Sequence, residues 1–154
     1  MASAHDVAAY ILAQRGPMTA MKLQKLVYYS QAWHLVWEEE PLFEERIEAW
    51  ANGPVVPELY RAHRQRWELK AGETLGGDPA RLTESERETI DIVLRSYGNK
   101  PAHWLSELTH LEPPWKDARQ AAGLDDGQRG SAVISRAAMY EYYDSLTSTA
   151  AEEV

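Results

Sequence analysis

Apolar residues recur with helical spacing over most of the chain, and the breaks in this pattern fall at glycines and prolines. The pattern predicts a first helix over residues 5–14, which Gly16-Pro17 ends. Residues 19–37 predict a longer second helix that begins at Thr19, because a threonine hydroxyl readily caps a helix. Apolar side chains cover most of its circumference, which is typical of a buried helix. We therefore predict that residues 19–37 form the central helix of the fold.

The remaining pattern predicts shorter elements around this helix. Alternating polarity at residues 46–51 predicts one short β element, and Asn52-Gly53-Pro54 is a turn signal, because glycine tolerates positive φ and proline fixes its own φ. Further helices are predicted over 57–67, over 83–97, from Pro101 to Pro113-Pro114, over 115–120 and over 135–146, with loops at 71–82 and 122–132.

These elements predict a mainly α fold. We expect one domain over residues 1–154, built as a compact bundle of about six or seven helices, with its core at about 5–146. Residues 147–154 are expected to form a frayed tail, as chain ends commonly do.

Periodic apolar stripes mark the predicted core. Its predicted members in the first half of the chain are Leu23, Leu26, Trp33, Trp37, Leu59 and Tyr60. The helix over 57–67 has the inward stripe Val56, Leu59, Tyr60, His63 and Trp67, which leaves Arg61 and Arg64 nearer its flank. His34 and His63 fall on apolar stripes, so we expect them to be hydrogen-bonded core residues rather than metal ligands.

The net charge and its distribution along the chain indicate which kinds of partner the protein can bind. The net charge of −8 opposes non-specific binding to nucleic acids, although six Glu at 38–48 and the basic residues Arg61, Arg64, Arg66 and Lys70 form regions of opposite sign. These regions are either solvated faces that pair with each other or a polarised surface that orients a charged partner. The helix over 57–67 follows a turn and carries arginines, so a DNA-binding regulator is an alternative reading.

No pattern of catalytic or cofactor-binding residues is present. The chain has no Cys, no GxSxG or phosphate-loop spacing, and no two of its five His four residues apart. It also lacks a basic, signal-like N-terminus and any apolar run near the ~20 residues that span a bilayer. We therefore expect a cytoplasmic protein that is not an enzyme, needs no metal or cofactor, and does not bind membranes.

Several sequence segments, in order, resemble the Panacea domain, also called the SocA-like antitoxin domain. They are MKLQKLVYYSQAWHL (21–35), PLF (41–43), IEAW (47–50), GPVVPELYRA (53–62), THLEPPW (109–115) and ISRAAMYEYY (134–143). The resemblance spans roughly residues 5–146. Ala32 replaces a glycine frequent in the family, and Asn52 an aromatic residue, but neither change removes a required chemical group.

The resemblance implies an antitoxin of a bacterial or phage toxin–antitoxin pair. Such proteins neutralise a toxin encoded by an adjacent gene, generally by direct binding, and one relative is thought to deliver its toxin to a protease. Some members carry an additional DNA-binding domain, and we expect these 154 residues to leave no room for one. The toxin, the oligomeric state and the choice between occlusion and protease delivery stay open.

Residues that core packing does not explain are the candidates for partner binding. They are Trp50, Asn52, Arg61, Arg64, His110 and Trp115. Trp and Arg dominate the energetics of protein interfaces, which favours this choice. His110 alternatively caps the chain break before Pro113. Gly53 and Pro54 are expected to shape the turn rather than to bind.

Overall fold

The predicted central helix runs from Ala20 to Glu38 in the computed structural model, which describes residues 1–153 and the side chains of residues 1–147. Thr19 caps it as predicted, because its hydroxyl accepts a hydrogen bond from the Lys22 amide at 3.1 Å. Leu23 and Leu26 are fully buried, and so is the polar Lys25. The expectation of a buried helix at the centre of the fold is confirmed.

Within the described part of the chain the structure contains seven α-helices, five short strands and one 3₁₀ turn. In chain order they are α1 (Ala4–Arg15), β1 (Met18–Thr19), α2 (Ala20–Glu38), β2 (Ile47–Trp50), β3 (Gly53–Val55), α3 (Pro57–His63), β4 (Glu68–Leu69), the 3₁₀ turn (Pro79–Arg81), α4 (Glu84–Tyr97), α5 (Ala102–Leu111), α6 (Pro113–Ala121), β5 (Val133–Ile134) and α7 (Arg136–Glu153). The predicted mainly α, single-domain bundle is confirmed.

Local capping chemistry explains where several helices begin. Thr83 and Glu86 form a reciprocal capping box at the start of α4, which satisfies two backbone amides that the helix itself leaves unpaired. Pro57 occupies the first turn of α3, where a missing N–H costs little. Ser135 accepts a hydrogen bond from the Ala138 amide at 3.0 Å and so caps α7. These start signals were all readable in the sequence.

A buried polar network joins α2 to the last helix. Tyr29 and Tyr143 both donate hydrogen bonds to one carboxylate oxygen of Glu112, at 2.7 and 2.9 Å, and the Tyr28 and Tyr143 hydroxyls lie 3.0 Å apart. Burial raises the pKa of Glu112 despite these hydrogen bonds, which oppose the shift. The network ties α2, α7 and the α5–α6 junction together through satisfied polar groups.

Two small sheets hold the segments between the helices. β2 is the predicted short β element, and it pairs antiparallel with β3 on one side and with β5 on the other. β1 pairs with β4, so the chain after α3 returns to the start of α2. The hairpin partner β3 and the pairs β2–β5 and β1–β4 were not predicted, because strands of two or three residues carry no periodicity.

Three aromatic residues assigned to the core are exposed instead. The helix predicted over 57–67 ends at His63, and Gln65 adopts a φ of 69°, so Trp67 leaves the helical stripe and is 77% exposed. Tyr60 and Trp37 are 38% and 40% exposed. Trp37 lies in the last turn of α2 and stacks on Trp33, which is only partly buried. Assignment of Trp37, Tyr60 and Trp67 to the core was therefore wrong.

The last helix was predicted to end at residue 146, with a frayed tail from Thr147, but α7 continues to Glu153. The side chains of 148–153 and the whole of residue 154 lie outside the described residues. None of the helices in the described range has the length and apolar character needed to cross a membrane.

Candidate functional site

A groove of about 1010 Å³ opens between the start of α2, the β2–β3 hairpin, α3 and the loop before β5. The residues that line it are Ala20, Met21, Gln24, Lys25, Trp50, Ala51, Asn52, Val55, Tyr60, His63, Arg64, Gln65, Arg66, Trp67, Arg129, Gly130 and Ser131. Three of them are aromatic, four are basic, and none is acidic.

Four side chains from α5 and α6 hold the hairpin wall by its backbone carbonyls. Trp115 Nε1 donates to the Trp50 carbonyl at 2.8 Å, and Arg119 Nη1 donates to the Ala49 carbonyl at 2.9 Å. Ser106 Oγ donates to the Asn52 carbonyl, and His110 Nε2 lies 3.0 Å from the Ala51 carbonyl. Every carbonyl from residue 49 to 52 therefore has a partner, and the hairpin tip is fixed in place.

Arg119 also fixes the loop at 122–132, which contributes residues to the groove wall. Arg119 is 3% exposed, and its Nη2 donates to the carbonyls of Asp125 and Gln128. Its guanidinium thus connects β2 to the loop at 122–132. Arg129 and Gly130, which follow immediately, lie on the groove wall.

Trp67 stands on the opposite wall on a backbone that the start of α2 holds. The Trp67 carbonyl accepts a hydrogen bond from the Ala20 amide at 2.9 Å, and the β4–β1 pair continues this contact. Glu73 braces the same segment, because it accepts two hydrogen bonds from Arg66 at 2.6 and 2.7 Å. An exposed indole on a fixed backbone loses little entropy when a partner covers it.

The floor of the groove is polar but well satisfied around Gln24. Gln24 Oε1 accepts from the Val56 amide at 2.9 Å, and its Nε2 lies 2.9 Å from His63 Nε2. Burial lowers the pKa of His63, so its neutral form is favoured. Tyr60 packs edge-on against both His63 and Trp50, which links the floor to the two walls.

Lys25 is the unusual group of the floor. It is 1% exposed, and Nζ donates to the Pro54 carbonyl at 3.1 Å. No carboxylate within the described residues lies within ion-pair distance of it. Burial without a counter-charge lowers its pKa to about 7. Gly53, at a φ of 123°, leaves the space that the lysine side chain fills.

The groove is positively charged although the protein is not. Lys25, Arg64, Arg66 and Arg129 line it, and only Arg66 is paired with an acid among the described residues. Three of the six Glu at 38–48 have other partners: Glu48 pairs with Arg46, Glu44 with Arg136, and Glu45 lies near His5. Among the described residues, none of the six forms an ion pair with a groove residue. The two charged regions therefore do not pair with each other.

The six predicted binding candidates divide into three groups. Trp50, Asn52 and Arg64 lie together on the groove. Arg61 is exposed on α3 but outside the groove lining. His110 and Trp115 lie behind the hairpin, where Trp115 is 4% exposed, so packing and hydrogen bonding explain both. His110 contacts the Ala51 and Ser106 carbonyls instead of capping the break before Pro113.

The residues that were predicted to have a structural role lie partly in the core and partly on the groove. Leu23 and Leu26 are fully buried as predicted, and Trp33 packs partly buried against the core, where its Nε1 donates to Tyr97. Gly53 and Pro54 are the first residues of β3, directly after a turn at Ala51-Asn52. Tyr60 belongs to the groove wall.

Sequence reasoning missed Lys25, Trp67 and Arg129 as groove residues. Lys25 carried one signal, a lysine on an otherwise apolar helix face beside buried neighbours. Trp67 was assigned to the core by extending helical periodicity past the end of α3. Arg129 carried no signal, because it lies in a Gly-rich loop distant in sequence from every other groove residue.

The side chains that line the groove are of the kinds found on binding surfaces. Among the described residues, no group of three or more His, Cys, Asp or Glu side chains is placed to hold a metal ion. His34 lies outside the groove, with Nδ1 2.8 Å from Thr89 Oγ1 and Nε2 buried without a partner. Exposed aromatic and basic side chains on a fixed frame are typical of protein interfaces.

Comparisons with known proteins agree on one family. The family model described as "Antitoxin SocA-like, Panacea domain" matches residues 23–116. The protein named Antitoxin SocA from Caulobacter vibrioides (strain NA1000 / CB15N) is 28% identical over 123 residues, which cover 72% of this chain and 65% of that protein. The match thus spans slightly less than two thirds of the length of this curated relative. No solved structure matches the chain significantly.

Proposed function

This chain belongs to the antitoxin SocA-like, Panacea domain family, and from that premise we propose that it neutralises a cognate toxin by binding it directly through the groove. We place the protein in the cytoplasm, with a toxin encoded by an adjacent gene as its partner. It acts by occlusion, covering a surface that the toxin needs, and it performs no reaction of its own.

One observation carries the choice of surface. Trp67 is 77% exposed on a backbone that hydrogen bonds fix, and it lines the same groove as Trp50, Tyr60 and Arg64. Burying one large aromatic side chain removes roughly 150–250 Å² from water. Tryptophan and arginine at the centre of a contact contribute most of its binding energy. An indole exposed to this extent contributes little apolar burial to the isolated domain.

The hairpin tip adds rigidity to this surface. Because the carbonyls of Trp50, Ala51 and Asn52 are already held by α5 and α6, a partner meets a preformed wall. Preformed surfaces lose less entropy on association than mobile loops do. This supports a stable complex over a transient contact.

The direct test is co-expression with the product of the adjacent gene, scoring growth rescue and complex formation. We expect Trp67→Ala and Arg64→Glu to weaken the complex at least tenfold and to abolish rescue. Trp37→Ala and Arg61→Glu are matched controls, because both residues are exposed and lie outside the groove. Thermal unfolding of each variant reports whether it folds.

Each contrary outcome would favour a different interface or a different function. Absence of both rescue and a complex would overturn the proposal. A normal complex with the groove variants would place the interface on another face. Rescue accompanied by a shortened toxin half-life would favour a protease adaptor over occlusion. A salt-sensitive shift of promoter DNA would favour a regulator, although α3 follows a β-hairpin rather than a second helix.

A further inference from the structure

The charged side chains that line the groove are all basic, whereas the protein as a whole is acidic. The chain carries a net charge of −8, yet the groove is lined by Lys25, Arg64, Arg66 and Arg129 and by no Asp or Glu. Arg64 and Arg129 make no side-chain hydrogen bond or ion pair within the part of the chain that is described. Such a concave patch concentrates the electrostatic field toward an anionic partner.

The buried lysine strengthens this inference. An ammonium group has three donors, and Lys25 uses one on the Pro54 carbonyl at 3.1 Å. Burying a cation without a counter-charge is unfavourable, and the lowered pKa of Lys25, about 7, reflects that. A carboxylate brought into the groove would supply the missing counter-charge. The floor of the groove is therefore more complementary to an anion than the surface arginines alone would make it.

The shape of the groove favours a polypeptide over a small ion. Its volume of about 1010 Å³ lies at the upper limit of small-molecule sites, which are roughly 300–1,000 Å³. Trp50, Tyr60 and Trp67 offer apolar contact along its walls. An occupant must then combine negative charge with apolar side chains. A short peptide segment has both within the length of the groove, whereas the phosphates of a nucleic acid would continue beyond the groove onto the negatively charged remainder of the protein.

We infer that the groove receives a short acidic segment of the partner, with its apolar side chains against Trp67 and Tyr60 and its carboxylates toward Lys25, Arg64 and Arg129. This inference rests on the proposed function, since it gives the chemistry of the segment through which a toxin would be held. It identifies that segment by composition, as alternating acidic and apolar residues.

The test uses the full chain and synthetic peptides of eight residues. One peptide alternates Glu with Leu, and a second replaces every Glu by Gln. Binding is followed by the ¹⁵N-indole signals of the six tryptophans, assigned by single Trp→Phe substitutions. We expect the Glu peptide to shift the Trp67 and Trp50 signals and to leave Trp37 unchanged, and the Gln peptide to bind at least tenfold more weakly.

Charge reversal supplies the matched control. Arg64→Glu and Arg129→Glu should each weaken the Glu peptide at least tenfold, whereas Arg61→Glu, three residues before Arg64 and outside the groove, should leave it unchanged. Lys25→Met should weaken it as well, with circular dichroism reporting that the variant is folded.

The inference is overturned if the Gln peptide binds equally well, if Arg61→Glu weakens binding as much as Arg64→Glu, or if only ATP or inorganic phosphate shifts the groove tryptophans. The proposed function has a separate readout. Trp67→Ala could abolish the complex with the toxin while peptide binding shows no dependence on charge. The groove would then be the interface, and the inference that it binds an acidic segment would be wrong.

Discussion

A Cβ atom on Gly53 would stand 2.4 Å from Cε of Lys25, so the missing side chain at residue 53 makes room for the buried lysine. The Lys25 ammonium then reaches the carbonyl of Pro54, the next residue of β3. Glycine at this position therefore has two roles. It allows the φ of 123° at the start of β3, and it lets β3 lie against α2 with the Lys25 side chain between them.

Gly53→Ala should destabilise the fold by about 1–3 kcal/mol, because a residue with a side chain is strained at this φ and also meets Lys25. Urea unfolding measures the loss. In a Lys25→Ala background the clash with the lysine disappears, while the backbone strain and the close contact with Thr109 Oγ1 at 3.1 Å are left, so the loss should be smaller. An equal loss in both backgrounds would show that the contact with Lys25 contributes nothing.

Lys25→Met should remove a pH dependence of stability between pH 7 and 9. The native pKa of Lys25 is about 7, against an ordinary value of 10.5. Between these values the unfolded chain holds a proton that the native state has lost, so wild-type stability rises with pH, by roughly 1–2 kcal/mol from pH 7 to 9. Well below pH 7 Lys25 is protonated in both states, so it no longer contributes to the slope.

Urea unfolding at pH 7, 8 and 9 tests this prediction, with Lys70→Met as the control because Lys70 is exposed. The control should keep the wild-type slope, and Lys25→Met should lose most of it. A slope shared by all three proteins would assign it to other groups.

Glu112→Ala should cost about 2–4 kcal/mol, because it leaves the buried hydroxyls of Tyr29 and Tyr143 without their acceptor. Glu112→Gln keeps a carbonyl oxygen in place and should cost less. Burial raises the pKa of Glu112 above 4.5, so the native state holds its proton longer than the unfolded chain. The contribution of Glu112 to wild-type stability therefore falls as the pH rises from about 4.5 to its native pKa.

The Gln variant lacks this ionisation, so the stability difference between it and wild type should shift in its favour as pH rises from about 4.5. Thermal unfolding of the three proteins at pH 4 to 7 measures this. A difference independent of pH would contradict the raised pKa.

Arg119→Met should loosen the loop beside the groove as well as lower stability, by about 2–3 kcal/mol, because three backbone carbonyls lose a charged donor. Hydrogen exchange at 125–131 and at the hairpin should accelerate by more than the loss of global stability explains, whereas exchange in α4 should accelerate by no more than that loss. Arg95→Met, on the exposed face of α4, is the control. Unaltered exchange at 125–131 would show that Arg119 does not hold the loop.

The parts of this fold that sequence reasoning predicted correctly depend on interactions between near neighbours in the chain. Thr19 caps α2 through the Lys22 amide three residues on, and Thr83 and Glu86 cap α4 in the same way. Helical periodicity also identified α2 as central, because residues within one helix share a fixed geometry. Ordered motifs identified the family.

The candidate site was predicted only in part. Trp50, Asn52 and Arg64 do lie on one groove, but Trp115 and His110 proved to be supports behind it. Trp67 was missed because its exposure depends on α3 ending at His63. Periodicity shows which residues share a face of a helix, but not where the helix ends or whether its last turn reaches the core.

The sequence by itself thus determined the central helix, the capped helix starts and the family, since these depend on local hydrogen bonds and on the order of short motifs. Tertiary structure decided the groove. It brought Arg129 beside Trp50 and Trp67, used Arg119 and Trp115 to hold the hairpin, and buried Lys25 under Gly53. These contacts join residues far apart in the chain, and they form only when α2, α5, α6 and the small sheet pack together.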